Sequence, residues 1–322
     1  MIEKPYRIEK VEMNGHVRYY LIKDIQFKDR KTKVRKRIET QDVTNKGFDS
    51  SFDLELETKA VSKKAELVSD YYLSCLEKSD ILSLETKRWK YAEVFKRIPA
   101  DEKAEYHKTF EKAYIHGTTM IEGNTLTLRE VTDLLEHGIL PRKGLREINE
   151  IQNYKKVRDY IKNYNGKVTV KFIQTLHSLI MDHILETPGN FRQFGLVAIS
   201  GCDLALTPPD LIEDELEERI QTYYENILNQ KYPFEQMMLF HYRFEMIHPF
   251  SDGNGRVGRE VLNYMMTREK YPKFLIGGEN REEYLSALRF GNERQDTEMI
   301  RTFSQMYQRQ LEKVVPEFDK LQ

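Results

Sequence analysis

Twelve consecutive residues, His248-Pro249-Phe250-Ser251-Asp252-Gly253-Asn254-Gly255-Arg256-Val257-Gly258-Arg259, bring together an imidazole, a carboxylate, a Gly-Asn-Gly turn and two guanidiniums. An imidazole titrates near neutrality and can accept a proton from an incoming hydroxyl. Asp252 is a hard oxygen ligand, suited to an Mg²⁺ ion that also binds phosphate oxygens. Gly253, Asn254 and Gly255 tolerate positive φ, so their backbone N–H groups can point into one concavity. A helix starting near Arg256 would add free N–H donors and a dipole that favours anions. Arg256 and Arg259 lie three apart on that helix, so both can face the same anion. Together these groups predict a site for a metal-bound phosphate chain with a base beside it. Singly, each is ordinary: Asn-Gly is commonly a turn, a His before Pro commonly structural, and a pair of helical arginines commonly solvated. Their concentration at one helix–loop–helix junction is what a purely structural account does not explain. Zinc is not expected, because there is no His-Glu-x-x-His and no cysteine nearby.

The elements that must position this stretch are helical. Phe234, Met237, Met238, His241, Phe244 and Ile247 form an apolar helix that stops at His248-Pro249, since proline cannot continue it. A second helix is expected from about Arg256 to Glu269, with two more near Arg281–Phe290 and Thr297–Val314. Upstream, Leu67, Tyr71, Leu73 and Leu76 fit one helical face, and Tyr106, Phe110, Ala113 and Tyr114 another. Thr127 to Glu130 reads as a capping box. Leu145, Ile148, Ile151, Val157 and Ile161 form a stripe ending near Asn165-Gly166, followed by a helix over Val168–Leu185 and another over Leu211–Leu228. Residues 194–207 break the helical period, and Ser200-Gly201-Cys202-Asp203 flanked by apolar residues reads as a β-hairpin inside the helical domain.

The N-terminal part differs. Residues 6–40 read as strands, with Asn14-Gly15 a strong two-residue hairpin signal and a third strand near Val34–Ile38. Lys28 to Arg37 holds seven basic residues in ten. That run suits a charged edge strand that resists edge pairing, or an anionic partner such as nucleic acid. Residues 41–56 read as a linker. The expected domains are a β-rich segment at 1–45, a linker and helical region at 46–104, and a helical catalytic domain at 105–315. The fold class is therefore mainly α, with a small N-terminal β-meander.

Of the 322 residues, 51 are Lys or Arg and 52 are Asp or Glu, a net charge of −1. Near-neutrality argues against a general nucleic-acid or membrane-surface protein. The 2 cysteines, Cys75 and Cys202, imply no disulfide framework, which suits a reducing cytosol. No apolar run reaches the roughly 20 residues needed to span a bilayer, and Met1 to Pro5 lacks the apolar core of a signal peptide. A soluble, cytoplasmic protein is expected.

The stretch 248–259 resembles the signature of the Fic (Fido) family, H-x-F-x-(D/E)-G-N-G-R-x-x-R, and matches it at every fixed position. The similarity extends over roughly 105–315, through Glu150-Ile151-Gln152-Asn153, Leu176-His177, Pro188-Gly189-Asn190-Phe191-Arg192 and Thr207-Pro208-Pro209. The resemblance implies a Fic-type helical bundle with one β-hairpin flap. It also implies an enzyme that transfers AMP from ATP to a Ser, Thr or Tyr hydroxyl of a protein and releases pyrophosphate. On that basis His248 would deprotonate the hydroxyl and Asp252 would hold Mg²⁺. Gly253, Asn254 and Gly255 would cradle the phosphates, Arg256 would bind the phosphate chain, and Arg259 would bind the γ-phosphate. Tyr284 and Asn292 would sit on the adenine side, with Asn292 the base contact and Tyr284 equally well explained by core packing. The 194–207 hairpin would align a target segment by strand addition.

A second constellation lies upstream. Thr118 and Glu122 are one turn apart on a helix that ends at Gly123-Asn124. From the residues alone Glu122 reads as a surface carboxylate in want of a cationic partner, since it opposes the helix dipole. Thr118 to Gly123 also resembles the family's inhibitory motif, (S/T)-x-x-x-E-(G/N). The resemblance implies that Glu122 pairs with Arg259 in cis and blocks the γ-phosphate. An autoinhibited protein adenylyltransferase is therefore the leading reading, and self-modification and a homodimer are compatible with it. The alternatives are AMP removal or transfer of another phosphate-linked group at the same site. A different class is a nucleotide-responsive regulator that binds nucleic acid through its basic N-terminal segment.

Overall fold

The computed structural model describes residues 6–39, 53–194 and 206–321. The chain divides into two compact units, Met1–Pro99 with Gln308–Gln322, and Ala100–Tyr307. The expected linker at 41–56 falls largely outside the described residues, as does most of the expected hairpin at 194–207. No described helix is long and apolar enough to cross a membrane.

The first unit is built on an antiparallel sheet of β1 (Arg7–Met13), β2 (His16–Phe27) and β3 (Arg30–Ile38), in that spatial order. Asn14 and Gly15 take φ of 51° and 75° between the paired residues Met13 and His16. Positive φ at both centres matches the turn to the strands' twist, which is why Asn-Gly encodes it. The basic run is itself the edge strand β3, longer than the expected Val34–Ile38. Lys31, Lys33, Arg35 and Arg37 alternate into solvent, while Val34 and Ile38 turn inward with Leu21, Tyr6 and Leu56. Lys33 pairs with Glu9 at 3.1 Å and Lys36 with Asp53 at 2.6 Å. This is the pattern of a guarded sheet edge.

Helix α1 (Leu54–Tyr71) begins where the Asp53 side chain accepts the Leu56 N–H at 2.9 Å. It ends at Tyr71, so the stripe expected through Leu73 and Leu76 is broken. Leu73 is 59% exposed, while a turn closed by Ser74 returns Leu76 to the interior. Helix α2 (Lys78–Arg97) completes this unit's apolar centre through Val94, which packs with Val61 and Phe318.

The second unit is helical. In chain order it holds α3 (Ala100–Ile121), α4 (Leu128–Thr132, continued by a π-helical turn over Asp133–His137), α5 (Leu145–Asn163), α6 (Val170–Ile180), α7 (Ile212–Leu228), α8 (Pro233–Ile247), α9 (Asn254–Arg268) and α10 (Arg281–Asn292). Helix α11 (Asp296–Glu312) runs out of this unit, and α12 (Val315–Phe318) lies in the first. The capping box at Thr127 and Glu130 is present in full. Helix α6 is shorter than the expected Val168–Leu185. Thr169 caps its start, and after Ile180 the chain turns, with His183 at φ 57°.

At the centre stand α8 and α9, buried on almost every face. Phe234, Met237, Met238, Phe244 and Ile247 of α8 meet Val257, Val261, Leu262 and Met266 of α9 in one apolar mass. Helix α9 also packs on α6 and α3. The junction between α8 and α9 is thereby fixed at both ends by buried helices.

One close approach sets the position of α3. A Cβ on Gly117 would lie 2.9 Å from the Cα of Gly277, so two backbones touch with no side chain between them. Overpacking against backbone costs about 1–3 kcal/mol, because neither neighbour can rotate away. Gly117→Ala should therefore lower the unfolding free energy, read from the shift of the denaturant midpoint, by that amount. Gly144→Ala, where the nearest atom is a Glu147 carboxylate oxygen 3.8 Å off, meets no clash and should cost less, about 1 kcal/mol or under, the advantage of glycine over alanine at a helix N-cap. Equal midpoints for the two variants would show that the crossing is slack.

Candidate active site

His248 caps α8 in the left-handed region, at φ 50° and ψ 60°. Such a backbone costs a non-glycine residue roughly 1–2 kcal/mol, and Arg192 holds it in place. The Arg192 guanidinium donates Nε to the His248 carbonyl at 2.7 Å, and Nη2 to Ile247 O at 3.1 Å and Thr207 O at 2.5 Å. Its backbone N–H donates to Pro249 O at 3.0 Å. A cation at a helix C-terminus meets the last free carbonyls and opposes the negative end of the dipole.

The cap fixes the state of the imidazole. Nδ1 of His248 lies 3.3 Å from the Glu245 carbonyl. A carbonyl only accepts, so Nδ1 carries the hydrogen and Nε2 is left as the basic nitrogen. Burial, with the Arg192 charge adding to it, holds this imidazole below its ordinary pKa. It is therefore neutral and able to accept a proton at neutral pH.

Phe250 is fully buried, as its apolar character suggests. Its ring stacks on His177 with centroids 3.7 Å apart and planes 2° from parallel. His177 Nδ1 accepts the Gly189 N–H at 2.7 Å, so its Nε2–H is the donor to the Asp252 carbonyl at 3.0 Å. Burial lowers His177 to a pKa of about 4, which keeps it neutral in this bridging role. His177 thus supports the loop from below at both Phe250 and Asp252.

Asp252 stands at the mouth of the loop, its side chain 35% exposed. Oδ1 accepts the Gly253 N–H at 2.6 Å and Arg256 Nη2 at 3.2 Å, and Oδ2 pairs with Arg146. Burial alone would raise this carboxyl, but the Arg256 and Arg146 charges outweigh it and hold it below its usual range.

The Gly-Asn-Gly segment differs from expectation. Only Gly253 has positive φ, 81°, and α9 already begins at Asn254, two residues before the expected start at Arg256. The Asn254 side chain explains the early start. It accepts the Phe250 N–H and donates to the Phe250 carbonyl, both at 2.8 Å, and so clamps the loop onto the helix. The N–H groups of Asn254, Gly255 and Arg256 are then the first amides of a helix, which have no partner within it and are available to an anion in place of an extended nest. Gly255 is required for another reason: a Cβ there would lie 2.5 Å from Glu122 Oε1 and 2.8 Å from Arg259 Nη1.

Arg256 and Arg259 are both buried to 1% exposure, but they do not share a partner. Arg256 donates Nη1 to Glu150 Oε1 at 2.8 Å and Nη2 to Asp252, and its buried Nε has no partner among the described residues. Arg259 turns to α3. Its Nε donates to Thr118 Oγ1 at 2.8 Å, and its Nη2 to Thr118 O at 3.0 Å and Glu122 Oε1 at 2.6 Å. Residues three apart differ by about 60° around a helix, and long side chains widen that divergence.

Glu122 is no free surface carboxylate. Helix α3 ends in a Schellman arrangement, with Gly123 N bonded to Met120 O and Asn124 N to Thr119 O. Gly123 sits at φ 98° to make that turn, which leaves Glu122 as the last residue before the reversal. Burial would raise its carboxyl, yet the Arg259 charge and hydrogen bond prevail and lower it. Asn124 then ties the turn to α5, donating to Glu147 O at 3.0 Å and Glu150 Oε2 at 2.9 Å.

Tyr284 is buried, its hydroxyl 3.0 Å from His241 Nε2 and its ring 5.9 Å from the Arg259 guanidinium carbon. It belongs to the packed interior beside Arg259. Asn292, at the end of α10, accepts the Tyr242 hydroxyl at 3.2 Å. The structure thus gathers His248, Asp252 to Arg256, Arg259, Thr118 and Glu122 around the start of α9. Sequence reasoning gave no role to Arg146, Glu150, His177 or Arg192. Glu150, His177 and Arg192 stand only in segments that resemble family landmarks, and the one local signal for Arg146 is its i,i+4 spacing from Glu150.

Comparisons with known proteins agree with this geometry. A family model described as Fic/DOC matches residues 167–266. A protein adenylyltransferase Fic of Aedes aegypti is 29% identical over 209 residues, covering 62% of this chain and 40% of that protein. One of Drosophila willistoni is 29% identical over 224 residues, covering 68% and 44%. The chain spans about two-fifths of the length of these relatives. Among solved structures, a Fic domain containing signaling protein from Bacteroides thetaiotaomicron superposes with TM-score 0.67 at 21% identity, covering 74% of this chain and 98% of that one. Fic-1 of C. elegans, residues 134–508, gives TM-score 0.64 at 20% identity, covering 83% and 81%. At those identities the likeness speaks for the fold. Residues 167–266 are therefore a Fic/DOC-family domain, held within a helical unit that has the Fic fold.

Proposed function

We propose that this protein is an autoinhibited protein adenylyltransferase, moving AMP from ATP to a Ser, Thr or Tyr hydroxyl of a protein. The observation that carries the reading is the set of donors at the start of α9 beside a neutral imidazole. The first amides of α9 lie beside two guanidiniums, Arg256 with an unpartnered Nε and Arg259, and His248 Nε2 is the free base. The curated relatives bear the name of that activity.

In this reading the target hydroxyl gives its proton to His248 Nε2 as its oxygen attacks the α-phosphorus. The bond from that phosphorus to the pyrophosphate oxygen breaks, and pyrophosphate leaves. The amides of Asn254, Gly255 and Arg256 meet the phosphate oxygens, and Arg256 and Arg259 offset their charge, so positioning and electrostatics do most of the work. Mg²⁺ fits Asp252, an ionised carboxylate at the mouth of the loop. Among the described residues no cluster of three His, Cys, Asp or Glu side chains could hold a metal alone. That suits an ion that arrives with the nucleotide and keeps few protein ligands. When bound it would neutralise phosphate charge. Asn292 remains the proposed adenine-side contact, with Tyr284 packing behind it. The protein substrate would dock along 194–207, most of which lies outside the described residues, and the chain itself is one candidate substrate. A cytoplasmic location is proposed on composition.

Glu122 occupies the place of the terminal phosphate on Arg259, and its carboxylate competes for the same Nη2. A hydrogen bond to a charged group contributes about 1.5–3 kcal/mol, so Glu122→Gly should raise AMP incorporation on the order of ten- to a hundred-fold. Labelling with α-³²P-ATP and following radioactivity in protein checks this. Equal labelling of wild type and variant would sink the autoinhibition. In the Glu122→Gly background, His248→Ala should lower labelling by about 10²–10⁴, the usual worth of a positioned base. Retained labelling would place the base elsewhere.

The pH profile carries a signed expectation. With the His248 pKa lowered, the basic form persists to lower pH than for an ordinary histidine. Asp252 is lowered too, so it stays ionised over that range. The acid limb of labelling by Glu122→Gly should therefore fall below pH ~6.5, the unperturbed imidazole value. A limb centred at or above that value would contradict the buried, neutral imidazole.

A further inference from the structure

Against Gly258, the residue before Arg259 on α9, lies a polar group that the proposed reaction leaves unused. Glu245 lies on α8, three residues before His248. Its side chain is 9% exposed, and Oε1 is buried with no hydrogen-bond partner among the described residues. His241, one turn earlier, brings Nε2 to 3.9 Å from that oxygen, too far for a hydrogen bond. The space is made on α9 by Gly258, where a Cβ would lie 2.5 Å from Glu245 Oε1 and 2.9 Å from Phe244 Cδ1. A carboxylate oxygen buried without a donor is costly, and a neutral carboxyl is much less so.

The groups around Glu245 narrow the possibilities. From its own helix His241 faces it, and burial, with the Arg259 charge adding to it, depresses that imidazole to a pKa of about 3, so it brings no charge. From α10 comes Tyr284, whose hydroxyl burial raises well above its ordinary value, so it too stays neutral. From α9 comes the Arg259 charge, and from the end of α3 the Glu122 charge. Burial pushes Glu245 up to about 7, with Glu122 adding to the rise and Arg259 opposing it. Of these groups, Glu245 is the one able to titrate near neutrality.

We infer that Glu245 is a positioning residue that keeps the charge around Arg259 balanced by exchanging a proton with solvent. The carboxyl holds its proton more tightly while an anion occupies Arg259 and gives it up more readily when that anion is absent. In the closed state the anion is Glu122. In the loaded state, on the adenylyltransferase reading, it is the terminal phosphate of the nucleotide. Binding of nucleotide to the opened site then draws protons onto Glu245, and affinity strengthens as pH falls through the carboxyl's anion-bound value toward its lower anion-free value.

The experiment has two arms. Without nucleotide, the carboxyl C=O stretch is followed by infrared spectroscopy against pH. The band should titrate near pH ~7 in wild type and at lower pH in Glu122→Gly, because the neighbouring negative charge is gone. An unchanged titration overturns the inference. In the second arm, Mg-ATP binding to Glu122→Gly is measured by calorimetry in buffers of different ionisation enthalpy. Uptake of about half a proton near pH 7 and more just below it is expected, and Glu122→Gly with Glu245→Gln should bind with none. Equal uptake in both overturns it. If Glu245→Gln does not fold, the infrared difference of Glu122→Gly with and without Mg-ATP still decides, since a protonated-carboxyl band must appear on binding. Failure of Glu122→Gly to bind ATP would count against the adenylyltransferase reading. The first arm would still decide the role of Glu245.

Discussion

Two positive charges are buried at the start of one helix, and the rest of the site is arranged to tolerate them. Arg256 and Arg259 are each 1% exposed, and a guanidinium does not give up its proton. Removing such a charge from water costs several kcal/mol unless an anion meets it. The chain therefore sends acids to it from separate elements: Glu150 from α5, Asp252 from the loop and Glu122 from the end of α3. These carboxylates leave α9's first amides unpaired, so a phosphate chain finds donors as well as charge. Whatever displaces Glu122 must itself be an anion, or Arg259 loses its hydrogen-bonded acid. That requirement narrows what can open the site far more than shape does.

Backbone geometry is the second constraint. His248, Gly253 and Gly123 each take positive φ, and each sits at the end of a helix or the start of one. The first turns the basic nitrogen out of α8, the second starts α9, and the third stops α3 at Glu122. Missing side chains do comparable work. Gly255 leaves room for the Glu122–Arg259 pair, Gly258 for the Glu245 carboxyl, and Gly117 for α3 itself. Glycine has no Cβ to collide in these places, and alanine at any of them would force a shift.

Much of this is legible in the sequence, but unevenly. The apolar run from Phe234 to Ile247 and its stop at His248-Pro249 follow from helical period and proline chemistry. So does the end of α3 at Gly123-Asn124. The hairpin at Asn14-Gly15 and the Thr127–Glu130 box are equally local. Less readable is whatever depends on contacts distant in sequence. The start of α9 at Asn254 turns on a side chain clamping Phe250, which composition cannot show. Arg192 bonds carbonyls more than fifty residues away, and nothing in Asn190-Phe191-Arg192 announces it. Glu122 reads as a surface residue until its partner, 137 positions on, is known. Leu73 failed for the opposite reason: it fits the helical stripe, but the helix had already ended at Tyr71.

The two constraints meet at Arg259. Its partners on α3 include a main-chain carbonyl and a hydroxyl, both from Thr118, as well as the Glu122 carboxylate. Loss of Glu122 therefore frees one N–H of Nη2 only, because Thr118 still holds Nε and the other. Thr118 is fully buried, so that hold can be released only by moving the helix. Gly117, the neighbouring residue, has its backbone against Gly277 on the segment that leads into α10. Motion of α3 and motion of the residues before Tyr284 are thus mechanically joined. An opening that shifts α3 would alter both faces of the Arg259 environment, the acid at the helix end and the Tyr284–His241–Glu245 cluster within. Removing the Glu122 carboxylate by substitution changes only the first. The substituted and the naturally opened states therefore share an exposed Arg259 Nη2, but they differ in how the buried cluster behind it is packed.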